Sequence, residues 1–319
     1  MQTPEPFDLV LTVESHGWYD LPPWRWDRAQ RRLGRPLRLS SSRAVFAEVG
    51  QADHGLAFRA VAEGRLSASE AREARDAMAA CLALDEDLRP FRARVEALEA
   101  VRASGKGKDL PDLRWVLARG AGRLLRSPTV FEDAVKTLCT TNCTWAVTRG
   151  MVGRLCAELG APAPLESRAF PTPAAMASRD ARFYREVIRT GYRAPFFVAL
   201  ARGVAEGRID LERLRAPRGE SGPGGPPAED VEAVSREIRA LDGFGPYATE
   251  HLLRLLGRHG HLALDSWNRK KLARLRGKRR PPSDRTLRRW YARYGEWAGL
   301  AMWLEVTADW HAGELPAWP

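Results

Sequence analysis

One stretch, from Leu241 to Asp265, constrains the fold more than any other part of the chain. It contains two glycines, Gly243 and Gly245, in a short break between two segments with the apolar spacing of a helix. The apolar residues on the two sides are Val231, Val234, Ile238, Leu252, Leu255 and Leu256. This pattern predicts a helix, a tight hairpin and a second helix. Because glycine has no Cβ, its backbone can approach a ligand closely, and free N–H groups at the following helix start favour an anion.

The same stretch ends in a single carboxylate. Asp265 follows the apolar residues Leu262, Ala263 and Leu264, about twenty residues after the hairpin. An aspartate in such a place is typical of a helix N-cap, because its side chain can accept hydrogen bonds from the first backbone N–H groups of the helix. Taken alone, the pattern favours this structural role.

The charge balance favours a polyanionic partner. The chain of 319 residues carries 51 basic and 40 acidic side chains, a net charge of +11, and its pI is about 10.0. Nucleic acid is a more natural partner for such a chain than a membrane. Directly after Asp265 lies a dense basic run, made up of Arg269, Lys270, Lys271, Arg274, Arg276, Lys278, Arg279, Arg280, Arg285, Arg288 and Arg289. We interpret this run as a surface that contacts phosphates, with Arg269, Lys270 and Lys271 nearest to Asp265.

Targeting and cysteine patterns point away from secretion. The sequence has no membrane-length apolar run, and residues 1–6 lack the charged and apolar regions of a signal peptide. A cytoplasmic protein of the bacterial nucleoid, or a nuclear one, is therefore expected. The four cysteines do not form the framework of a small secreted domain, and no side-chain metal site is expected from them: Cys81, Cys139, Cys143 and Cys156.

The first part of the chain is expected to form an antiparallel sheet with helical cover. Alternating apolar residues over 7–13 predict one strand, and residues 37–49 predict two more around a turn at 40–43. Ser67 and Glu70 form a capping box that opens a helix through about Leu84. We expect an α+β protein with an N-terminal sheet domain over residues 1–105 and a mostly helical domain over 106–319.

The second part has helical patterns almost throughout. Pro128 after Ser127 is typical of a helix start, and residues 131–155 predict two helices around Asn142. Proline and glycine crowd residues 216–228, where we expect a flexible loop.

Several ordered segments carry a resemblance to a known family. They are the hairpin with its following aspartate, 120–156 (GAGRLLRSPTVFEDAVKTLCTTNCTWAVTRGMVGRLC), 191–194 (GYRA) and 294–304 (YGEWAGLAMWL). In this order they resemble the helix-hairpin-helix (HhH-GPD) DNA glycosylases, and within that superfamily the 8-oxoguanine DNA glycosylases most closely. The resemblance implies a sheet domain followed by the helical glycosylase domain, and cleavage of a modified base from its sugar in duplex DNA.

The resemblance also implies roles for individual residues. Asp265 falls on the catalytic aspartate, and Gly243 and Gly245 fall on the hairpin that grips the DNA backbone. The family hairpin often binds a monovalent cation through backbone carbonyls. No organic cofactor is implied, the cysteine loop of an iron–sulfur cluster is absent from the sequence, and a monomer is expected.

Three further residues fall on positions that hold the distorted duplex. Asn142 matches the residue that fills the gap left by the flipped base. Tyr192 and Arg193 match the wedge and the reader of the widowed opposite base.

Departures from the family pattern concern the chemistry and the base. The family's lyase lysine is replaced by Tyr247, and because a phenol cannot form an imine, a monofunctional glycosylase is expected. Base-reading positions are occupied by His16, Met302 and Val306. Together with Tyr247, the aromatic residues Trp18 and Trp267, among others, would suit a cationic alkylated purine, since electron-rich rings attract a positive base.

Three alternatives remain open at this point. The pocket could be rebuilt for an oxidised purine, or enlarged for a bulky hypermodified base such as those of phage DNA. The protein could also be a non-catalytic binder of bent or damaged DNA. Asp265 argues against the last, because a pure binder has no reason to hold a carboxylate near phosphates.

Overall fold

The computed structural model describes residues 1–107, 109–215 and 228–311. Residues 216–227, most of the segment expected to be a flexible loop, therefore lie outside the described residues.

The N-terminal sheet has four antiparallel strands in the order β1-β2-β3-β4. The strands are β1 (Arg25–Asp27), β2 (Arg32–Arg38), β3 (Ala44–Gln51) and β4 (Leu56–Val61). Leu33 pairs with Val49 and Leu37 with Val45, and all four side chains are buried. The predicted pair of strands around residues 40–43 is thus confirmed, with the apolar face of the sheet packed inward.

The strand predicted over residues 7–13 is wrong. Residues Leu9–Val13 form a short helix, α1, whose N-cap Asp8 accepts a hydrogen bond from the backbone N–H of Leu11. Leu9, Leu11, Thr12 and Val13 are all buried. When a helix is buried on more than one side, its apolar residues need not follow the spacing of a single helical face. Alternating apolar residues then do not distinguish such a helix from a strand.

After the sheet, the described chain is mostly helical, with one further pair of short strands. The capping box of Ser67 and Glu70 is confirmed; the helix that it opens, α2, ends at Cys81 rather than near Leu84. The two helices predicted around Asn142 are confirmed as α5 and α6, although Thr129 rather than Ser127 is the cap of α5. The bounds are α2 (Ala68–Cys81), α3 (Arg89–Ala103), α4 (Arg114–Arg119), α5 (Val130–Thr140), α6 (Trp145–Leu159), β5 (Pro162–Ala163), β6 (Ser167–Arg168), α7 (Pro173–Ala177), α8 (Ala181–Phe183), α9 (Ala194–Ala205), α10 (Ala228–Arg239), α11 (Pro246–Leu255), α12 (Ser266–Leu275), α13 (Asp284–Tyr291) and α14 (Ala298–Thr307).

Two apolar clusters form the core. The first joins the sheet to helices α5, α6, α9, α10 and α11, so that Leu33 and Phe131 share one cluster. The second packs α3 and α4 against α12, α13 and α14, around Phe91, Tyr291 and Leu300.

A buried ion pair also fixes the sheet to the helices. Arg35 on β2 donates two hydrogen bonds to the Glu132 carboxylate on α5, at 3.0 and 2.6 Å. Lys136 lies 2.7 Å from the same carboxylate. Removing one partner would leave the other charges buried without compensation, so this cluster ties the orientation of β2 to that of α5.

Candidate active site

The hairpin and the two helices after it place the candidate catalytic residues. As predicted, two helices, α10 and α11, flank the hairpin glycines. Gly243 has a φ of 85°, and a Cβ at that position would lie 2.6 Å from a ring carbon of Phe196, so only glycine fits. Gly245 is the exposed N-cap residue of α11, and a Cβ there would meet nothing within 4 Å. The fold therefore requires Gly243, whereas Gly245 leaves open space in front of the start of α11.

Asp265 is the N-cap residue of α12, so the structural role predicted from the sequence is confirmed. Its Oδ1 accepts a hydrogen bond of 2.7 Å from the N–H of Asn268, and the Asn268 side chain accepts one of 3.0 Å from the Asp265 N–H. Asn268 in turn donates to the carbonyl of Ala263 at 2.8 Å. This reciprocal box fixes the carboxylate with respect to the start of α12.

The Asp265 carboxylate also lines a cavity of about 130 Å³. For comparison, a cavity of roughly 150 Å³ admits a benzene ring. The residues that line the cavity are His16, Gly17, Trp18, Thr140, Cys143, Trp145, Thr148, Tyr247, His251, Asp265, Trp267 and Trp303. Asp265 is the single carboxylate among these residues, and none of them is a lysine or an arginine. The cavity thus combines one acidic group with a predominantly aromatic wall.

The environment makes Asp265 harder to ionise than an exposed aspartate. Burial raises the pKa of its carboxyl above the usual range, while the backbone N–H groups of Asn268 and Trp267 and the charge of Arg254 act in the opposite direction. Arg254 is not among the lining residues; its guanidinium lies 5.1 Å from the ring centre of Trp303. A carboxyl with a perturbed pKa in a cleft is a recurring property of catalytic sites.

Tyr247 lies beside Asp265 in the cavity wall. Its ring stacks on His251 at a centroid distance of 5.9 Å and an angle of 19°, as expected for residues four apart on α11. Burial and the nearby Asp265 raise the pKa of the Tyr247 phenol, while Arg254 and Thr140 act in the opposite direction. The group that Tyr247 presents to the cavity is therefore a neutral phenol.

The N-terminal segment supplies His16 and Trp18 to the wall. Trp18 donates a hydrogen bond of 2.8 Å to Asp133 on α5. The Nε2 atom of His16 lies 2.6 Å from the carbonyl oxygen of Leu125, and burial lowers the pKa of the His16 imidazole to about 3. His16 is therefore neutral at physiological pH.

Two of the expected pocket residues lie elsewhere. Met302 and Val306 are fully buried in the second core cluster and are not among the residues that line the cavity. They are four apart on α14 and so share its core-facing side. Trp303, one position further along, turns away from that side and lines the cavity. Neither Trp303 nor His251 was predicted as a wall residue from the sequence, although His251 is four positions from Tyr247 and so lies on the same side of α11.

Aromatic residues outside the cavity have other partners. Trp24 lies against the guanidinium of Arg35 at 4.5 Å, and Trp26 donates to Glu14 at 2.9 Å. Trp267 does line the cavity, in a cluster with Trp303 and Trp310.

Two candidate DNA contacts are brought together at the surface. Asn142, in a left-handed conformation with φ 47°, donates a hydrogen bond of 3.0 Å to the hydroxyl of Tyr192. Tyr192 is 57% exposed. Arg193 differs, because it is 6% exposed and its guanidinium donates to the carbonyl and hydroxyl oxygens of Thr141. In this structure Arg193 holds the loop before Asn142 instead of lying at the surface.

Some of the cations in the basic run after Asp265 are paired with carboxylates. Arg269 is paired with Asp284, and Lys271 lies 2.6 Å from Asp309. Arg276 and Arg288 also lie close to carboxylates, Glu305 at 2.9 Å and Glu250 at 3.6 Å. Among the described residues, the exposed members of the run with no ion pair are Lys270, Arg274, Lys278, Arg279, Arg280, Arg285 and Arg289.

Neither a membrane-spanning helix nor a cluster of metal-binding side chains occurs among the described residues. None of their helices combines the length and the apolar character that crossing a membrane requires. No group of three or more histidine, cysteine or acidic side chains within 1–107, 109–215 and 228–311 is arranged to hold a metal ion.

The fold is similar to those of solved DNA glycosylases, whereas no family model and no curated protein matches the chain. A 3-methyladenine DNA glycosylase from Archaeoglobus fulgidus matches with a TM-score of 0.72 and 16% identity, over 99% of each chain. MBOgg1 in complex with a low-affinity DNA ligand matches with a TM-score of 0.67 and 17% identity, over 97% of this chain and 93% of that one.

A third solved structure is the Clostridium acetobutylicum 8-oxoguanine glycosylase/lyase in complex with double-stranded DNA that contains cytosine opposite 8-oxoguanine. It matches with a TM-score of 0.67 and 14% identity, over 96% of this chain and 93% of that one. The similarity covers the sheet and the helices together. The resemblance to DNA glycosylases drawn from the sequence is therefore confirmed at the level of the fold.

Proposed function

We propose that this protein is a monofunctional DNA glycosylase, which flips a modified base out of duplex DNA and hydrolyses its N-glycosidic bond. The observation that carries the proposal is the Asp265 carboxylate, held by the start of α12 in the wall of an aromatic cavity. A flipped base needs a pocket beside the catalytic group, since its target bond cannot be reached within the base stack.

Asp265 is the proposed catalytic group. Breaking the N-glycosidic bond builds positive charge on the sugar, and a fixed carboxylate beside the anomeric carbon stabilises that charge in the transition state. The same carboxylate can orient or deprotonate the attacking water. Its raised pKa makes it a better base than an exposed aspartate, and the capping box keeps it from rotating away.

Tyr247 is the reason to propose hydrolysis without strand cleavage. A lyase step requires an amine that attacks the sugar, and no lysine is among the described residues that line the cavity. Lys270 is exposed, and Lys271 lies against Asp309 and the ring of Trp267. The product is therefore an abasic site in an intact strand.

The proposed substrate is an alkylated purine. Four tryptophans and Tyr247 line the cavity, and aromatic faces attract a cationic base more strongly than a neutral one. The likeness to a protein named as a 3-methyladenine glycosylase supports the same choice. The cavity of about 130 Å³ would have to open for any purine, and further for a bulky hypermodified base. An oxidised purine lacks the positive charge that the aromatic wall favours.

Contacts with duplex DNA are proposed for the hairpin and for the surface around Tyr192. The open space at Gly245 would let a phosphate approach the N–H groups near the start of α11, among which Pro246 contributes none. Asn142 and Tyr192 would meet the distorted duplex, with Arg193 positioning their loop. For Arg193 to read the opposite base itself, its guanidinium would have to leave Thr141. On α12, the exposed Lys270 and Arg274 would add phosphate contacts, and so would Arg269 and Lys271 if they left their carboxylate partners.

A monovalent cation at the hairpin remains part of the proposal. The carbonyl oxygens of Asp242, Gly243 and Phe244 accept no hydrogen bond within the described residues, whereas Leu241 and Gly245 accept from Phe244 and Thr249. Carbonyl oxygens are suitable ligands for a hard cation. Such an ion would add positive charge near a bound phosphate. We propose that the protein acts as a monomer in the cytoplasm or nucleus.

A single-turnover assay on end-labelled duplexes tests the function. The duplexes carry alkylated, oxidised, deaminated or hypermodified bases, and each reaction is read with and without hot alkali. We expect breaks at an alkylated purine only after alkali, and a loss of at least about 100-fold in Asp265→Asn. Asp180→Asn is the matched control, because Asp180 caps the short helix α8 on the exposed surface and does not line the cavity.

The outcomes separate the alternatives. Breaks without alkali would show that an amine replaces the missing lysine. Excision confined to an oxidised or hypermodified base would replace the alkylated purine as substrate. Tight binding without any excision would favour the second candidate function, a binder of damaged DNA, which the exposed cations on α12 and α13 could equally serve.

A further inference from the structure

The tautomer of His16 is fixed by its surroundings. A carbonyl oxygen can only accept a hydrogen bond, so the His16 Nε2 atom, 2.6 Å from the Leu125 oxygen, must carry the hydrogen. In a neutral imidazole the other nitrogen, Nδ1, then has a free lone pair and acts only as an acceptor. Burial keeps the ring neutral by lowering its pKa to about 3.

The position of His16 is fixed as well. The Leu125 N–H donates a hydrogen bond of 3.0 Å to the Ser15 hydroxyl, so residues 15 and 16 bind Leu125 through two separate bonds. The next residue, Gly17, lies so close to the Trp145 indole that a Cβ would come within 2.4 Å of its ring. On the other side, the carbonyl of Ser15 accepts from Trp303 at 2.8 Å.

The Nδ1 atom of His16 is left without a partner. It is buried and makes no hydrogen bond with any residue in the described part of the chain, although the His16 ring lines the same cavity as Asp265. Burying an acceptor without a donor is costly, and native proteins rarely do so without a functional reason. His251, 6.1 Å away between ring centres, also has an unpartnered nitrogen, Nε2, but no contact fixes its tautomer.

We propose that His16 determines base specificity by accepting, at Nδ1, a hydrogen bond from an N–H group of the flipped base. The inference rests on the proposed function and names the class of base that the cavity selects: planar bases with an amino or ring N–H donor, over bases of similar size without one. An alkylated adenine such as 3-methyladenine retains its exocyclic amino group. In 1,N6-ethenoadenine the same nitrogen is closed into a ring and has no hydrogen to donate.

The predicted selectivity follows from the lost hydrogen bond. A base without the donor would leave Nδ1 buried and unsatisfied, so the wild-type protein should excise 3-methyladenine faster than ethenoadenine. We expect a ratio of single-turnover rates between about 5 and about 100, the equivalent of about 1 to 3 kcal/mol.

Two substitutions at His16 separate base reading from positioning. In His16→Gln the amide can replace the Nε2–H that donates to Leu125 but offers no acceptor where Nδ1 stands. In His16→Asn the amide oxygen can replace the Nδ1 acceptor. We expect the rate ratio to fall towards one in His16→Gln and to remain above one in His16→Asn. His54→Gln, at an exposed loop position, is the matched control and should keep the wild-type ratio.

The result that overturns the inference is a wild-type ratio that persists in His16→Gln when thermal unfolding shows both variants to be folded. In that case another group reads the base.

A second measurement does not depend on turnover. The ¹⁵N spectrum of histidine-labelled protein, with the His16 signals assigned by their loss in His16→Gln, is followed during titration with free 3-methyladenine and free ethenoadenine. We expect the Nδ1 signal to move with 3-methyladenine and not with ethenoadenine; equal responses to both, or none, would contradict the inference. If the wild type excises no base at all, the proposed function fails while this titration still tests His16.

Discussion

The helices α2 and α12 begin with the same local device in two different environments. Each has a capping box, formed by Ser67 and Glu70 at the start of α2 and by Asp265 and Asn268 at the start of α12. At α2 the box lies on the exposed surface, whereas at α12 the capping carboxylate lines an aromatic cavity. A capping residue can therefore satisfy the backbone N–H groups of a helix end and still be available for chemistry. Its surroundings decide which of these two roles matters.

The largest expected effect comes from substituting the two caps. Asn is as good an N-cap as Asp, so Asp265→Asn should remove the catalytic charge, with a loss of excision of at least about 100-fold, without lowering the thermal midpoint. Ser67→Ala should do the opposite, lowering the unfolding free energy by about 1 kcal/mol and leaving excision intact. Single-turnover rates and denaturant titrations measure both. A large loss of stability in Asp265→Asn would mean that the Asp265 carboxylate, like the Ser67 side chain, serves mainly to stabilise its helix.

The next effect is the pH dependence of excision. Because burial raises the pKa of Asp265 and the reactive form is the carboxylate, excision should fall as the pH is lowered through that pKa, approaching tenfold per pH unit below it. The assay needs a substrate base that does not titrate in this range. A rate that stays constant down to the ordinary pKa of an aspartate would contradict the role of burial.

The two capping boxes should also differ in how their contributions to stability depend on pH. A hydrogen bond from the Ser67 backbone lowers the pKa of Glu70, so its contribution is present above the unfolded pKa and is lost as the pH falls through the folded one. The pKa of Asp265 is raised instead, so folding is favoured in acid and its contribution is lost as the pH rises through the folded pKa. Carboxyl ¹³C titrations should show the two groups shifted in opposite directions.

A smaller effect is expected from restoring an amine beside the α12 cap. In Tyr247→Lys, the apolar surroundings should lower the pKa of the new amine and favour attack on the sugar. We expect a slow appearance of breaks without alkali and a covalent adduct that borohydride traps. Tyr247→Phe, which keeps the stack on His251, is the control and should give neither product. The absence of an adduct in a folded Tyr247→Lys protein would mean that position 247 does not face the sugar.

The smallest effect concerns charge further along the two helices. Lys270 on α12 is exposed and belongs to a basic surface, whereas Arg75 on α2 lies 3.2 Å from Asp76 among acidic neighbours. Lys270→Gln should weaken DNA binding similarly for all sequences and reduce the slope of log Kd against log salt by about 1. Arg75→Gln should leave the slope unchanged. Equal slopes for the two variants would remove Lys270 from the DNA surface.

The sequence predicted local devices better than the directions in which side chains point. Both the hairpin around Gly243 and the capping box of Ser67 depend on a few adjacent residues, and both are present. The assignment of Met302 to the pocket failed because a difference of one position on a helix turns a side chain by about 100°. The wall residue is its neighbour Trp303, and only the packing of α14 against the core decides between the two.

The hydrogen-bonding state of His16 could not be predicted either. It depends on the carbonyl of Leu125, which is 109 positions away in the chain. Similarly, the alternation of apolar residues over 7–13 carried no information on whether Asp8 would cap a helix. Local patterns predict elements, whereas the chemistry of a site depends on partners that the fold brings together from distant positions.

The bond between Ser15 and Trp303 has a consequence for the order of assembly. It joins residues separated by 288 positions, and it brings together the segments that carry the two ends of the cavity wall. During synthesis the cavity therefore cannot close before Trp303 has been added and has reached Ser15. All four strands of the sheet precede that point in the chain by more than 200 residues, so a nascent chain that already contains the whole sheet still lacks one wall of the cavity.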